Sequence, residues 1–477
     1  MLAGSMLGLV GGGFLGRVDK VAAMQPGETV WTARIKTQPA TSAALLTPPR
    51  YGAADQPPPP ATADRLPLAW NKQQVARLKA MLAERKISAF LIRSAQTSAY
   101  LTGYWHVSTE RPQAMFMNAD DAAPWYFYPT IDRDLVRSWW YGGGLSYFDY
   151  PHAEGGFPDR GAVRTGPAVD LFAYMLEGIK SHGVQGNRIG IDGELYPSEA
   201  KTAARVLPGV EFVNIASEIR ELRMVKTPEE LALWSRCYQI SDRAHAFARD
   251  YLLTYGTDLT DLEVSLATEL YLLDALYGGL DLADGAPNHG VGSFAVIKCR
   301  AGRVTGYAHP NQPYYRRIGR DMPIQLVIVP RLGGCGGEAY RMFLTADARG
   351  RFDPAKEKMW EVTRHSGDIQ RDMQKEGARC ADIAAAIFRY QIDEGMQDFI
   401  YHRPAHGQNT EGHGPPYIAL GDQTVLRRNM VMSQEPGLYD PKSGYGFNWS
   451  DNIVTGAATG YRMSGVPYSR EWSMLKL

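Results

Sequence analysis

Two histidines and a glutamate in the last quarter of this 477-residue sequence are residue types that hydrolytic sites use. His406 and His413 lie seven residues apart in "AHGQNTEGHGPPY", and Glu435 follows in "NMVMSQEPGLY". Imidazole and carboxylate groups bind divalent metals and also transfer protons near neutral pH. The strand pattern before Glu435 points its carboxylate into the interior, where a charge is costly unless it has a partner or a task. These three residues fit both a metal site and a metal-free acid–base site.

The overall composition points to a small-molecule partner. Acidic and basic residues balance at 51 each, and the sequence has neither a basic stripe for nucleic acid nor an acidic tail. The first residues, "MLAGSMLGLVGGGFLG", have the pattern of an export signal, which predicts a periplasmic or exported protein; a misassigned start of a cytoplasmic protein is the alternative. They are too short and too rich in glycine for a membrane span. Residues 40–62 are rich in Pro and Ala, which predicts an extended arm and not a packed element.

Apolar patterns divide the chain after the signal-like segment and arm (1–62) into two predicted domains. Residues 63–219 alternate helix patterns with buried-strand patterns such as "ISAFLI" and "RIGID", which predicts an α/β domain. Residues 220–477 open with two helices whose N-caps, Thr227 and Thr260, are each followed three residues later by Glu. The strands "SFAVIKCR" and "PIQLVIVPRL", and the "GGCGG" turn before "EAYRMFL", predict antiparallel hairpins. The predicted fold class is therefore α+β.

Several motifs occur in the order of a known family. "IRELRMVKTPEELALW" is followed by a hairpin, then by H-x6-H, "EPGLY" and "DNIVTG". This arrangement resembles the M24 family, which comprises methionine aminopeptidase, aminopeptidase P, prolidase and creatinase. The resemblance covers about 65–470. It implies a C-terminal pita-bread catalytic domain behind a smaller creatinase-like α/β domain, and a homodimer.

The resemblance also assigns ligand positions. Peptidases of this family hold two metal ions with two Asp, one His and two Glu. At the corresponding positions this sequence has, in chain order, Val327, Glu338, His406, Glu435 and Ser450. Val327 cannot bind a metal and the Ser450 hydroxyl is a poor ligand, so we expect no two-metal site.

Two interpretations of the remaining residues stay open. Glu338, His406 and Glu435 suffice for one zinc or iron ion with an open coordination position. Alternatively, the histidines and glutamates act without a metal, as in creatinase and ectoine hydrolase. "GYAHPNQP" resembles the creatinase segment that carries the catalytic histidine, which implies that His309 transfers the proton and that His413 stabilises an oxyanion. This favours the second interpretation, with no cofactor and with the two glutamates binding the substrate.

Further substrate-binding residues are predicted from two stretches. In creatinase-like dimers, the region that corresponds to "SAYLTGYWHVSTERPQ" reaches the active site of the other subunit. The resemblance therefore implies an aromatic wall of Tyr104 and Trp105 and a carboxylate-binding Arg111. Arg341, three residues after Glu338, completes this set. An aromatic core strand and a surface arginine are the structural alternative.

The predicted function is metal-independent hydrolysis of a C–N bond in a small amidine, urea or amide, by an enzyme that is not a peptidase. One alternative is a mononuclear metal-dependent peptidase or lyase, similar to prolidase or to the iron-dependent lyase of dimethylsulfoniopropionate. Another alternative is an inactive binding protein, as in the histone-chaperone relatives of the family. Three histidines and two glutamates at site positions argue against the inactive protein, because a scaffold has no chemical reason to keep all five.

Overall fold

The structure is a computed structural model that describes residues 35, 38–106, 109–149, 153–154, 169–278, 292–309, 315–410 and 412–477. The signal-like N-terminal segment lies outside these residues, so export stays a prediction. The helices are α1 (Leu68–Glu84), α2 (Ala95–Thr102), α3 (Arg133–Arg137), α4 (Leu171–His182), α5 (Pro197–Val206), α6 (Ala216–Met224), α7 (Pro228–Tyr255), α8 (Asp261–Tyr277), α9 (Pro354–Met373), α10 (Cys380–Asp393) and α11 (Arg470–Ser473). Within the described ranges, no helix is both long and apolar enough to cross a membrane.

Eighteen strands form four sheets in the described part of the chain. They are β1 (Ala89–Ile92), β2 (Ala114–Asn118), β3 (Trp125–Pro129), β4 (Gly143–Asp149), β5 (Ala153–Glu154), β6 (Arg188–Ile191), β7 (Glu211–Asn214), β8 (Phe294–Ala301), β9 (Pro323–Arg331), β10 (Ala339–Thr345), β11 (Ala405–Asn409), β12 (Gly412–Ile418), β13 (Val431–Ser433), β14 (Leu438–Asp440), β15 (Tyr445–Phe447), β16 (Asn452–Val454), β17 (Tyr461–Arg462) and β18 (Met474–Leu475).

The first seven strands form one mixed sheet with the order β5-β4-β3-β2-β1-β6-β7. β1, β6 and β7 run parallel, whereas β2 is antiparallel to both of its neighbours. Apolar clusters lie on both faces of this sheet, one under α1 and α6 and the other under α4 and α5. The predicted α/β arrangement of this part is confirmed.

The later strands form a four-stranded sheet, β18-β10-β9-β8, and a five-stranded sheet, β12-β11-β13-β16-β17, with β14 and β15 as a separate pair. β8, β9 and β10 pair antiparallel as predicted. The capping boxes at Thr227 and Thr260 are both formed and start α7 and α8. These two helices pack on the four-stranded sheet, while α10 packs on β11 and β13. The α+β fold class is therefore confirmed.

The Pro-rich arm differs from its prediction, because it packs against the second half of the chain. Ser42 donates its backbone N–H and its hydroxyl to the carboxylate of Asp250 on α7, at 3.0 and 2.6 Å. The backbone N–H of Thr47 donates to the carbonyl oxygen of Gly465 at 2.8 Å. Buried Asp55 accepts a backbone N–H from the loop after β16. The partners in these three contacts lie far away in sequence, which is why composition alone predicts an unpacked arm.

Candidate active site

Strand ends of the second half bring four of its five predicted catalytic side chains together. Glu338 lies directly before β10, His406 lies on β11, His413 lies on β12, and Glu435 lies two residues after β13. β11 pairs antiparallel with β12 on one side and with β13 on the other. The central strand therefore holds His406 between the elements that carry the other side chains, and β10 supplies Glu338 from the neighbouring sheet.

An irregularity in β11 helps to aim the histidines at each other. The register between β11 and β12 shifts between His406 and Gly407, as at a β-bulge. A Cβ at Gly407 would lie 2.5 Å from the carbonyl oxygen of Pro415, so only glycine allows the two strands to approach this closely. The rings of His406 and His413 stack with their centroids 3.7 Å apart.

Carboxylate oxygens converge on the ring of His406. Its Nε2 lies 3.4 Å from Glu338 Oε2 and 3.2 Å from Glu435 Oε1. Its Nδ1 lies 3.1 Å from the carbonyl oxygen of Gly407, so Nδ1 carries a proton and Nε2 is the nitrogen that faces the carboxylates. Neither carboxylate contact has hydrogen-bond geometry, so buried Nε2 lacks a hydrogen-bond partner among the described residues. A cation between these groups would satisfy all of them.

The charges of the cluster perturb its protonation. Burial lowers the pKa of His406, but the adjacent Glu338 and Glu435 outweigh burial and raise it to about 10. Burial and then the charge of Glu338 raise the pKa of Glu435 to about 8. Without a metal ion, bound protons therefore balance the negative charge of the carboxylates. Metal binding would release these protons.

All five predicted catalytic residues line one cavity of about 140 Å³. His309 is exposed on its wall, whereas Glu338 and His406 are buried. His413 Nε2 lies 3.1 Å from Glu338 Oε1, and its side chain is 58% exposed. Residues 310–314, which follow His309, lie outside the described residues. The geometry supports the site, and the individual catalytic roles stay predictions.

Arg341 lies behind this cavity and does not line it. The guanidinium is fully buried and donates to Asp451 Oδ2 at 3.0 Å, to Ser464 Oγ at 3.1 Å and to the carbonyl oxygen of Val466 at 3.2 Å. Asp451 also accepts from the hydroxyl of Tyr468 at 3.2 Å. The predicted substrate-binding role of Arg341 is therefore incompatible with its position, because its charge is already neutralised inside the protein.

The three substrate-binding residues predicted between positions 98 and 112 do not line the cavity either. Tyr104 is buried against Tyr126. Trp105 lies in a slot of the same chain, where a Cβ at Gly334 would come within 2.5 Å of its indole ring. Arg111 is exposed and pairs with Glu110 at 3.1 Å. Their contact with a partner subunit, and the homodimer itself, stay predictions.

Residues that sequence reasoning missed complete the cavity. His402 Nε2 lies 3.0 Å from the hydroxyl of Tyr439, and Arg403 and Asn448 are further members of the lining. A sequence signal for two of them exists, because "YHRPAH" places His402 and Arg403 within four residues of His406. Asn448 and Tyr439 carry no such signal, since only the fold brings them to the cavity.

The two positions without a carboxylate lie in the core beside the site. Val327 is buried on β9, opposite Tyr340 of β10. Ser450 is fully buried, and its Oγ lies 3.5 Å from Glu435 Oε1. The described residues thus offer one cluster of donor atoms, in which Glu338, His406 and His413 place one ligand atom each within 4.8 Å of one another.

Family models match both halves of the chain. The Creatinase/Prolidase N-terminal domain matches residues 74–225, and Metallopeptidase family M24 matches residues 232–457. These are the α/β region and the region that carries the site. The resemblance inferred from the motifs is confirmed.

Individual proteins agree with these matches. The chain is 25% identical over 293 residues to the Xaa-Pro dipeptidase of Pyrococcus horikoshii, which is 60% of this chain and 73% of that one. It is 20% identical over 378 residues to the putative dipeptidase YkvY of Bacillus subtilis, covering 78% and 92% of the two chains. The crystal structure of prolidase from Thermococcus sibiricus superposes with a TM-score of 0.67 at 17% identity, covering 85% of this chain and 99% of that chain. This structural likeness establishes the shared fold.

The prediction that the protein needs no cofactor is wrong. The matched family is one of metallopeptidases. The site fits a metal, because two carboxylates and an imidazole nitrogen without a hydrogen-bond partner converge in it. The expectation of a non-peptidase is likewise unsupported, since the relatives are named dipeptidases. The chain is a hydrolase of family M24, with a creatinase/prolidase N-terminal domain in front of its catalytic domain.

Proposed function

We propose that the protein is a dipeptidase that requires one divalent cation, held by Glu338, His406 and Glu435, and that hydrolyses small peptides of the Xaa-Pro type. The observation that carries this proposal is the convergence on His406 Nε2, with carboxylate oxygens at 3.2 and 3.4 Å and no hydrogen-bond partner in the described residues. Two carboxylates and a neutral imidazole balance a divalent charge and leave coordination positions open, as hydrolytic metal sites require.

We expect one cation and not two. A second ion needs carboxylates at the positions of Val327 and Ser450, and neither side chain supplies one. The hydroxyl of Ser450 lies 3.5 Å from Glu435, a distance at which it orients that carboxylate. Removal of the hydroxyl should therefore weaken metal binding through the position of Glu435.

The residues around the proposed cation site would have different chemical roles. A bound divalent cation supplies a Lewis acid, which polarises an amide carbonyl and lowers the pKa of water. His413 is held 3.1 Å from Glu338 at the exposed side of the cavity. If a bound cation engaged Glu338, the His413 N–H would become available to donate to the substrate carbonyl oxygen. His309, exposed on the same cavity wall, can return a proton to the leaving nitrogen.

The substrate class rests on the relatives and on the size of the cavity. Two of the relatives are named as an Xaa-Pro dipeptidase and a putative dipeptidase. The cavity of about 140 Å³ admits only a short segment of substrate at the metal-binding cluster. A dipeptide with proline in the second position is therefore the first substrate to test.

Metal removal and reconstitution test the proposal. Protein stripped with a chelator should be inactive on alanylproline, and addition of Mn²⁺, Co²⁺ or Zn²⁺ should restore hydrolysis at one bound ion per chain. His406→Ala should lose the ion, whereas His365→Ala should keep it, because His365 lies on α9 against Tyr390 and away from the site. Full activity of the stripped protein, or two ions per chain, would contradict the proposal.

A further inference from the structure

Arg300 is a buried charged side chain to which the proposed mechanism gives no role. It lies on β8 and is 2% exposed. In the pairing of β8 with β9, Arg300 lies opposite Gln325, next but one to the pair of Lys298 and Val327. Because alternate residues of a strand share a face, Arg300 points to the side of the sheet on which Val327 lies, beside the candidate active site. A guanidinium is costly to bury unless its N–H groups are bound, so its contacts indicate what it does there.

One nitrogen of Arg300 binds the segment that leads to His309. Its Nη1 donates to the carbonyl oxygens of Val304 at 3.1 Å, Tyr307 at 2.9 Å and His309 at 3.4 Å. These carbonyls belong to a 3₁₀ turn (Gly302–Gly306) and to the residues after it, which are part of no strand. The guanidinium therefore supplies the hydrogen bonds that a neighbouring strand would otherwise give to this segment.

The other side of the guanidinium is held by Gln325. The Nε of Arg300 donates to Gln325 Oε1 at 2.9 Å, and its Nη2 donates to the same oxygen. Gln325 is 1% exposed, and its own Nε2 donates at 3.4 Å to the carbonyl oxygen of Asn448, which lines the cavity. Strand β9 thus fixes the guanidinium, and the guanidinium in turn fixes the segment of His309.

The position of the His309 ring depends on this support. The side chain is exposed on the cavity wall, and its ring makes no hydrogen bond to another residue in the described part of the chain. Its place is therefore set by its backbone. A general acid must come within hydrogen-bond distance of the leaving nitrogen, and a displacement of about 1 Å can cost about 10²-fold in rate.

We propose that Arg300 is a positioning residue, which holds the backbone of His309 so that its ring faces the leaving nitrogen of the substrate. The inference rests on the proposed dipeptidase function and adds the group that orients the proton donor. Arg300 does not line the cavity, so it acts through His309 and not on the substrate. Methionine at this position would leave the three carbonyl oxygens without their donor and allow the segment to shift.

A double-mutant cycle tests this proposal on the metal-loaded protein. Arg300→Met should lower kcat for alanylproline by about 10- to 100-fold. KM and the bound metal should stay unchanged, because the lost proton transfer belongs to the transition state. In a His309→Ala background the same substitution should cost nothing further, since both changes remove one function. Losses that add up would show that Arg300 supports the fold in general, and would overturn the proposal.

Two further variants bracket the expected effect. Arg303→Met is the matched control, because Arg303 lies in the same turn but is exposed and donates to the carbonyl oxygen of Pro441 at 3.4 Å. It should keep the full kcat. Arg300→Lys should retain part of it, since an ammonium can still donate to some of the carbonyl oxygens.

A spectroscopic measurement tests Arg300 without catalysis. In protein with ¹³C-labelled histidine, the Cε1 signal of His309 is identified by its loss in His309→Ala. This signal should shift in Arg300→Met and stay in place in Arg303→Met. An unmoved signal in Arg300→Met would overturn the proposal whatever the activity. If the unmodified protein does not hydrolyse alanylproline, the dipeptidase function is overturned, and the signal alone decides on Arg300.

A second variant covers the case in which Arg300→Met does not fold. Gln325→Met keeps the size of the side chain but removes the oxygen that holds Nε and Nη2 of Arg300. It should shift the His309 signal and lower kcat by less than Arg300→Met does, and this loss should again vanish in the His309→Ala background. A normal His309 signal and a normal kcat in Gln325→Met would overturn the proposal.

Discussion

Two charge clusters meet at the start of β10, around Glu338 and Arg341, and are built in opposite ways. The site cluster (Glu338, His406, His413 and Glu435) has carboxylate oxygens that face a nitrogen without a hydrogen-bond partner among the described residues. In the scaffold cluster (Arg341, Asp242, Asp451, Ser464 and Tyr468), Arg341 donates to a carboxylate, a hydroxyl and several carbonyl oxygens.

This difference shows how buried charge can be interpreted. A cluster whose charges are paired inside the protein holds strands and loops together, and it needs no ligand. A cluster in which carboxylates beside a cavity face a nitrogen without a hydrogen-bond partner is suited to bind a cation. Residue type alone does not distinguish them, because Glu338 and Arg341 both appear as charged residues at the start of one strand.

The largest expected effect is the loss of metal from the site cluster. His406→Leu should abolish stoichiometric metal binding and reduce hydrolysis to background, because it removes the central ligand. The unfolding free energy of the metal-free protein should fall, since the variant leaves the carboxylates of Glu338 and Glu435 buried without the imidazolium whose pKa they raise. Elemental analysis and urea denaturation measure the two effects. A His406→Leu variant that keeps one metal ion per chain would contradict the assignment of His406 as the central ligand.

The next effect separates proton transfer from metal binding within the site cluster and its cavity. His309→Ala should lower turnover by about 10²–10⁴-fold because a general acid is lost, and His413→Ala by about 10²–10³-fold because a donor to the substrate carbonyl oxygen is lost. The bound metal should remain in both variants. Steady-state kinetics beside metal analysis is the measurement. If His413→Ala loses the metal, then His413 is a ligand, in agreement with its position within 4.8 Å of the other donors.

A third prediction concerns the scaffold cluster. Arg341→Met should lower the unfolding free energy by about 3–5 kcal/mol, because it leaves Asp451 buried without its cation. Arg389→Met, on an exposed helix face, should stay within about 0.5 kcal/mol of the unmodified protein. Urea denaturation at constant pH measures both. A small effect in Arg341→Met would show that the scaffold cluster is not a stabilising element.

The smallest effect is a pH dependence within the scaffold cluster. Burial raises the pKa of Asp242 from 3.8 to about 7, although it accepts from Ser464 and from the N–H of Gly465. The folded state therefore binds this proton more tightly than the unfolded chain does. Stability from this group is full below pH 3.8 and falls by roughly 1 kcal/mol per unit as pH rises towards 7. Asp242→Asn should remove this slope between pH 5 and 7. An unchanged slope would show that Asp242 is ionised when folded.

The sequence predicts local features of the fold well, and features made by distant residues less well. The capping boxes at Thr227 and Thr260 and the hairpins of β8 to β10 were predicted because their signals lie within a few residues. α2 was not predicted, although Ser94 caps it and Gly103 ends it in the left-handed conformation. Its aromatic residues favour the interpretation of this stretch as a core strand.

The same difference between features made by neighbouring residues and features made by distant residues applies to the site. Spacing and resemblance indicate Glu338, His406 and Glu435, but the likeness of the His309 segment to creatinase favours a metal-free interpretation, which is wrong. The remaining three groups converge only because strands from two sheets meet, and no sequence pattern reports that distance. Arg341 was misplaced for a related reason: its neutralising partner, Asp451, is 110 residues away in the chain.

The docked arm has a consequence for the order of events during synthesis. Thr47 bonds to Gly465, and these residues are 418 positions apart. At a ribosomal rate of about 5–20 residues per second, the arm leaves the ribosome roughly 20–80 s before this acceptor exists. The earliest of the described segments is thus among the last to reach its final place. Throughout that interval its proline-rich stretch is open to chaperones and proteases, although in the finished protein it is held against the catalytic domain.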